Sequence, residues 1–152
     1  MKARLLSVFS EVSAPRVDRK KLTALVEILD ESYQPKNKGE LSLAFVHHER
    51  LAQMHAGFCG DPTPTDIITF PPTFEDAEVF GELCISPQAA AEWVKKHGGK
   101  FEEELKRYVI HGYLHLLGYD DLEPKKKRQM RAQEKKCLLL AKHIKGIFTF
   151  AP

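Results

Sequence analysis

Ten consecutive residues, Tyr108 to Leu117 (Y-V-I-H-G-Y-L-H-L-L), carry no charged side chain, and Glu102, Glu103 and Glu104 stand a little before them. Acidic residues in a first turn complement the helix dipole, so the stretch reads as one helix that opens on those glutamates. A surface helix needs one apolar stripe, whereas a helix apolar almost all round must be covered on several sides. Whatever else the chain forms has to pack around this segment. Inside it, His111 and His115 lie four residues apart. That spacing puts both imidazoles on one face, one turn apart, close enough to share a metal ion.

Gly118 supplies the left-handed turn that ends such a helix, and the chain doubles back to Asp120 and Asp121. A carboxylate beyond the turn closes a third coordination position and leaves the rest of the sphere to water or substrate. Three protein ligands with an open position is the layout of a catalytic zinc site. The pair alone is a weak signal, because seven histidines in 152 residues give roughly 0.3 such pairs by chance. Two core histidines satisfied by hydrogen bonds are the competing reading.

The length suits one domain spanning residues 1–152, and hydrophobic and charged fractions of 43% and 29% are those of an ordinary globular protein. No apolar run reaches the length of a membrane span, and the first residues lack a signal-peptide core. Cys59, Cys84 and Cys137 are widely spaced and form no C-x-x-C, which suits free thiols in a reducing cytoplasm and argues against thiolate zinc. The net charge of +2 hides an asymmetry: Pro124 to Lys145 holds nine Lys and Arg against Glu134 alone, and the rest of the chain is acidic. A basic patch beside a metal centre points to a polyanion such as RNA, and a solvated helix face is the bland alternative.

The remaining periodicities predict a strand over residues 3–9, then a helix capped by Asp18 with Leu22, Leu25, Val26 and Leu29 inward. A strand follows over Glu40–Val46, then surface histidines at 47 and 48, and a short helix over Glu49–Ala56. Gly57–Pro64 reads as loop, Thr65–Phe70 as strand, Phe74–Glu78 as an excursion and Val79–Ile85 as strand. Ser86-Pro87 opens a helix that stops at Gly98-Gly99. Glu102 with Lys106 and Glu103 with Arg107 are (i, i+4) pairs on the histidine helix, and a last helix runs from Pro124 to about Lys145. The expected fold is α/β (α+β): about four strands in a mixed sheet with about five helices, the histidine helix central.

Four segments stand in an order that resembles the YbeY family of bacterial rRNA maturation factors: P-T-D-I-I-T-F-P (64–71), G-E-L-C-I-S (81–86), H-G-Y-L-H-L-L-G-Y-D (111–120) and M-R-A-Q-E (130–134). The similarity covers nearly the whole chain. It implies a zincin-like domain, one zinc or another divalent transition metal per chain, and single-strand-specific endoribonuclease activity. It also implies action on ribosomal RNA, especially the 3′ end of 16S rRNA, and a role in small-subunit quality control in the cytoplasm. Two positions depart from the family pattern. Asp121 stands where a third histidine is usual, and Cys59 where an arginine is usual. Aspartate is a competent zinc ligand, but its charge makes the metal a weaker Lewis acid, and a thiol cannot clamp a phosphate as a guanidinium does.

The site that follows has His111, His115 and Asp121 on the metal, with Asp120 beside them orienting a ligand or exchanging roles with Asp121. His111, His115 and Asp120 are the catalytic set. Thr65 and Asp66 line the cleft, and Lys125 and Arg128 on the basic helix hold the RNA backbone. Two other classes share the histidine pair. A metalloprotease needs glutamate after the first histidine, where this chain has Gly112. A non-enzymatic ribosome-assembly factor with a structural metal is the other, and Asp121 and Cys59 at the two departing positions speak for it. A His₂Asp set also matches the non-haem iron triad, against which the helical context speaks.

Overall fold

The computed structural model describes residues 4–59, 66–72 and 78–149, apart from the side chains of Phe58 and Cys59. In chain order the elements are β1 (Leu6–Ser10), β2 (Arg16–Val17), α1 (Arg19–Tyr33), β3 (Glu40–Phe45), α2 (His48–Cys59), β4 (Ile67–Phe70), β5 (Val79–Ile85), α3 (Pro87–His97), α4 (Phe101–Leu116), α5 (Pro124–Leu140) and β6 (Phe148–Thr149). Thr65 and most of the expected 74–78 excursion lie outside the described residues.

Four strands form a mixed sheet in the order β1-β3-β5-β4, with β1, β3 and β5 parallel and β4 an antiparallel edge. The register sorts side chains to two faces. Phe45, Ile85 and Ile67 share a row, and the neighbouring row Ala44, Cys84 and Ile68 points the other way. The first face meets α1 and α4 in the main core, where Leu22, Leu25, Leu29, Leu41, Leu43, Leu105, Val109, Ile110 and Leu114 are sealed from solvent. The second face is covered by Leu51 and Met54 of α2. The histidine helix α4 packs against α3, α5, β4 and β5, which is the central position its apolar composition demands.

Local chemistry sets the boundaries. The Asp18 carboxylate accepts from Lys21 N at 3.1 Å, and the Ser86 hydroxyl accepts from Ala89 N at 3.1 Å, so both expected N-caps are present. Arg4, with its side chain almost wholly buried, bonds Asp30 at 3.0 Å, and Asp30 also accepts from Tyr113 Oη at 2.7 Å. One carboxylate thus ties the N-terminal strand region, α1 and α4 together.

Four features differ from the expectation. Helix α2 continues through Cys59, three residues past Ala56. The pair β2–β6 is a two-residue ribbon, too short to leave a periodic signal. The ion pairs on α4 run i, i+3: Glu104 grips Arg107 at 2.6 Å and Glu103 lies 3.9 Å from Lys106, while Glu102 Oε1 accepts from the backbone of Gly146 and Ile147. Helix α5 stops at Leu140 instead of running on to Lys145. Lys106 explains that end, because its buried ammonium donates to Ala141 O at 2.7 Å and Ile144 O at 2.8 Å, carbonyls at and beyond the helix terminus.

Candidate metal centre

The last turn of α4 closes in a Schellman motif. Tyr119 N donates to Leu114 O at 3.1 Å and Gly118 N to His115 O at 3.0 Å. Gly118 takes φ of +106°, a conformation that any side chain would strain. The reversal carries Asp121 back over the face that holds the two histidines.

There the donor atoms converge. His111 Nε2 lies 3.0 Å from His115 Nε2 and 3.6 Å from Asp121 Oδ2, and His115 Nε2 lies 3.8 Å from Asp121 Oδ1. One ligand atom from each residue falls within 4.8 Å of the others. Zinc bonds of about 2.0–2.1 Å in a tetrahedron place neighbouring donors roughly 3.4 Å apart. The histidine pair is slightly closer than that edge and the nearest carboxylate contacts, made through different oxygens, are slightly longer. Two imidazoles with a carboxylate suit a divalent transition metal. The trio therefore fits a metal ion with a small rotation of the Asp121 carboxylate. Burial, and then the neighbouring His111, hold His115 below the usual imidazole range, which favours the neutral ring that a metal needs.

Sequence reasoning missed the group that holds His111 in place. Glu134, on the inward face of α5 and 5% exposed, puts Oε2 2.6 Å from His111 Nδ1. Its other oxygen takes Arg107 Nη1 at 3.0 Å. An ionised carboxylate only accepts, so His111 carries its proton on Nδ1 and presents the Nε2 lone pair towards His115 and Asp121. Burial raises the Glu134 pKa, but His111 and Arg107 outweigh it, and the carboxyl sits below its ordinary value. Arg107 in turn is bound at both ends, with Glu104 taking it at 3.0 and 2.6 Å.

These groups line a cavity of about 180 Å³ that holds Asp66, Arg107, Tyr108, His111, Asp121, Lys127, Arg131 and Glu134. Asp66 takes its expected place in the cleft, and Thr65 lies outside the described residues. Asp120 is not one of the three clustered donors: it accepts from Leu122 N at 3.2 Å and lies 3.5 Å from Lys126 Nζ. Lys125 and Arg128 are exposed on α5, and it is Lys127 and Arg131 of that helix that reach the cavity wall. Gly112 has no room for a side chain. A Cβ there would come within 2.7 Å of Ile67 Cδ1 and Leu83 Cδ2, so the glutamate of a protease motif could enter only by displacing those two side chains.

The family model described as Endoribonuclease YbeY matches residues 10–142. Among relatives, an Endoribonuclease YbeY of Chlamydia caviae is 39% identical over 68% of this chain and 72% of its own. One of Beutenbergia cavernae is 34% identical over 86% of this chain and 93% of its own. One of Thermotoga neapolitana is 40% identical over 72% of each. A solution structure of a Thermotoga maritima protein superimposes with a TM-score of 0.62 at 30% identity, covering 90% of this chain and 89% of that one.

Proposed function

The chain belongs to the endoribonuclease YbeY family, and on that premise we propose that it is a metal-dependent endoribonuclease. Its substrate is single-stranded RNA, and it acts in ribosomal RNA maturation at the 3′ end of 16S rRNA and in quality control of the small subunit. The observation that carries this reading is the convergence of His111, His115 and Asp121 at a cavity walled by Arg107, Lys127 and Arg131. Ligands for a hydrolytic metal and cations for a phosphodiester share one opening.

In this reading His111, His115 and Asp121 hold zinc or a similar divalent ion. Bound there, the ion supplies Lewis acidity, lowering the pKa of a water and offsetting charge on the phosphoryl oxygens. The chain's own residues do the rest. Glu134 fixes the tautomer and angle of His111. Lys127 and Arg131 place the phosphate, and Lys125 and Arg128 extend the positive track along α5 for the flanking backbone. Asp66, in the cavity wall, contacts the substrate, and Thr65 is assigned to the same role. Asp120, held by Leu122 N and near Lys126, belongs to the catalytic set by setting the turn that presents Asp121 and so orienting that ligand. The carboxylate of Asp121 leaves the metal a weaker Lewis acid than a third imidazole would.

Single-turnover cleavage of a single-stranded RNA by the wild type and by His115→Ala tests the proposal. Metal-dependent cleavage that His115→Ala loses is expected, and equal rates in both would sink it. Co-sedimentation with ribosomes without any metal-dependent cleavage would instead favour a structural metal in an assembly factor. Helices of the described residues are too short or too polar to cross a membrane.

A further inference from the structure

Helix α3 carries the only tryptophan of the chain, Trp93, and leaves it 45% exposed. One exposed aromatic is ordinary on a protein surface. This one is held flat. Its ring stacks on His97 with centroids 3.7 Å apart and planes 17° from parallel. His97 Nδ1 lies 3.1 Å from Trp93 O, and because a carbonyl only accepts, that nitrogen donates and locks the imidazole.

The pair also has a defined place. It walls a groove of about 470 Å³ together with Tyr108, Asp66 and Lys96, and Tyr108 and Asp66 line the metal cavity as well. The groove and the metal cavity thus share a boundary at Asp66 and Tyr108, and a line from the donor cluster across that boundary leads to the stacked rings. Along it the chemistry changes from cations that suit phosphates to a π surface with a cation, Lys96, at its side. Glu92 at this end, with Asp66 at the shared boundary, would repel a phosphate but accept hydrogen bonds from the amino edge of a base. A strand of nucleic acid presents that alternation only when its bases are unpaired.

Resting on the nuclease reading above, we propose that Trp93 and His97 form the stacking platform for an unpaired nucleobase flanking the bond that is cut. The platform discriminates against duplex because a paired base cannot leave its own stack to reach it.

The sole tryptophan is also the reporter. Metal-loaded protein is mixed with a single-stranded RNA oligonucleotide in stopped flow, following tryptophan fluorescence, and the half-saturation and maximum rate of single-turnover cleavage are measured in parallel. Fluorescence is expected to quench on binding in the wild type. Trp93→Leu should raise the half-saturation concentration by about 5- to 100-fold, the loss of one base stack, with metal content unchanged. Trp93→Phe, which still stacks, should stay within a few fold of the wild type.

A second measurement needs no variant. Moving one abasic nucleotide along the oligonucleotide should weaken wild-type binding at one fixed offset from the cut, and that penalty should vanish in Trp93→Leu. Cleavage by the wild type with no quenching, no sensitive offset and an unchanged half-saturation in Trp93→Leu would overturn the platform alone, and would be the result if the pair instead serves a protein partner. Failure of the wild type to bind or cleave any single-stranded RNA would remove the nuclease reading and the platform with it.

Discussion

His111 Nδ1 and Glu134 Oε2 lie 2.6 Å apart, joining α4 to α5 across 23 residues of chain. The bond fixes which imidazole nitrogen carries the proton, and it is braced from behind by Arg107, which Glu104 also holds. A carboxylate that orients a liganding histidine raises its basicity, and its removal typically costs about 10- to 100-fold in metal affinity. Glu134→Ala should show a loss of that order in competition against a chelator. Glu134→Gln keeps an acceptor but not the charge, and should fall between. An unchanged affinity in Glu134→Ala would mean that packing alone holds His111.

Asp121 brings Oδ2 to 3.6 Å from His111 Nε2 and Oδ1 to 3.8 Å from His115 Nε2. Asp121→Asn keeps shape and loses the anionic oxygen, so bound metal per chain should drop to a minor fraction. Asp121→His restores a strong donor and should retain the metal. Because a neutral ligand replaces an anion, the water held at the site becomes more acidic, and the alkaline-favoured limb of the cleavage pH profile should move to lower pH. Elemental analysis and the rate profile check the two parts separately. Full metal in Asp121→Asn would remove Asp121 from the ligand set.

What could be read from the linear chain followed how local the cause was. The caps at Asp18 and Ser86, the alternation of Leu41, Leu43 and Phe45, and the two histidines one turn apart depend on residues within a turn of each other, and each stands as expected. Glu134 and Lys106 were illegible for the opposite reason. Each is a charged residue in a charged stretch, which reads as solvated surface. Each is buried because its partner comes from a distant stretch of chain, His111 of α4 for the first and the carbonyls of Ala141 and Ile144, just past α5, for the second. The metal trio was readable because a glycine turn folds its third member back locally. The identity of the cations on the cavity wall was not, since Lys127 and Lys125 differ only in the direction α5 faces.

Gly112 makes a packing prediction. The α4 backbone crosses Ile67 and Leu83 so closely that a methyl group must displace them. Overpacking of a tight core costs about 1–3 kcal/mol, so Gly112→Ala should lower the free energy of unfolding by that amount, read as a lower urea midpoint with little change in slope. Gly112→Glu adds a buried charge and should leave little folded protein, with no peptidase activity in what remains. A stable Gly112→Glu would mean that α4 can lift from the sheet.

Lys106 makes the stability of the fold depend on pH. Its ammonium is fully buried against Ala141 O and Ile144 O, and burial holds its pKa below the ordinary lysine value of 10.5. The folded state thus releases this proton at lower pH than the unfolded chain does. Between the depressed value and 10.5 the unfolded chain binds the extra proton, so this residue's contribution to stability rises with pH. Cys84, whose thiol burial pushes up to about 11, works the other way, because there the folded state keeps its proton longer and stability falls as pH rises through 9 to 11. Comparison with Lys106→Met cancels the thiol. That variant strands two carbonyls, costing about 1–3 kcal/mol, and the deficit measured by urea unfolding should widen as pH is raised towards 10. A deficit that stays constant would mean that the ammonium is as well solvated by the two carbonyls as by water. Faster amide exchange confined to the C-terminal turn of α5 in the variant would identify the loss as that of the lysine cap.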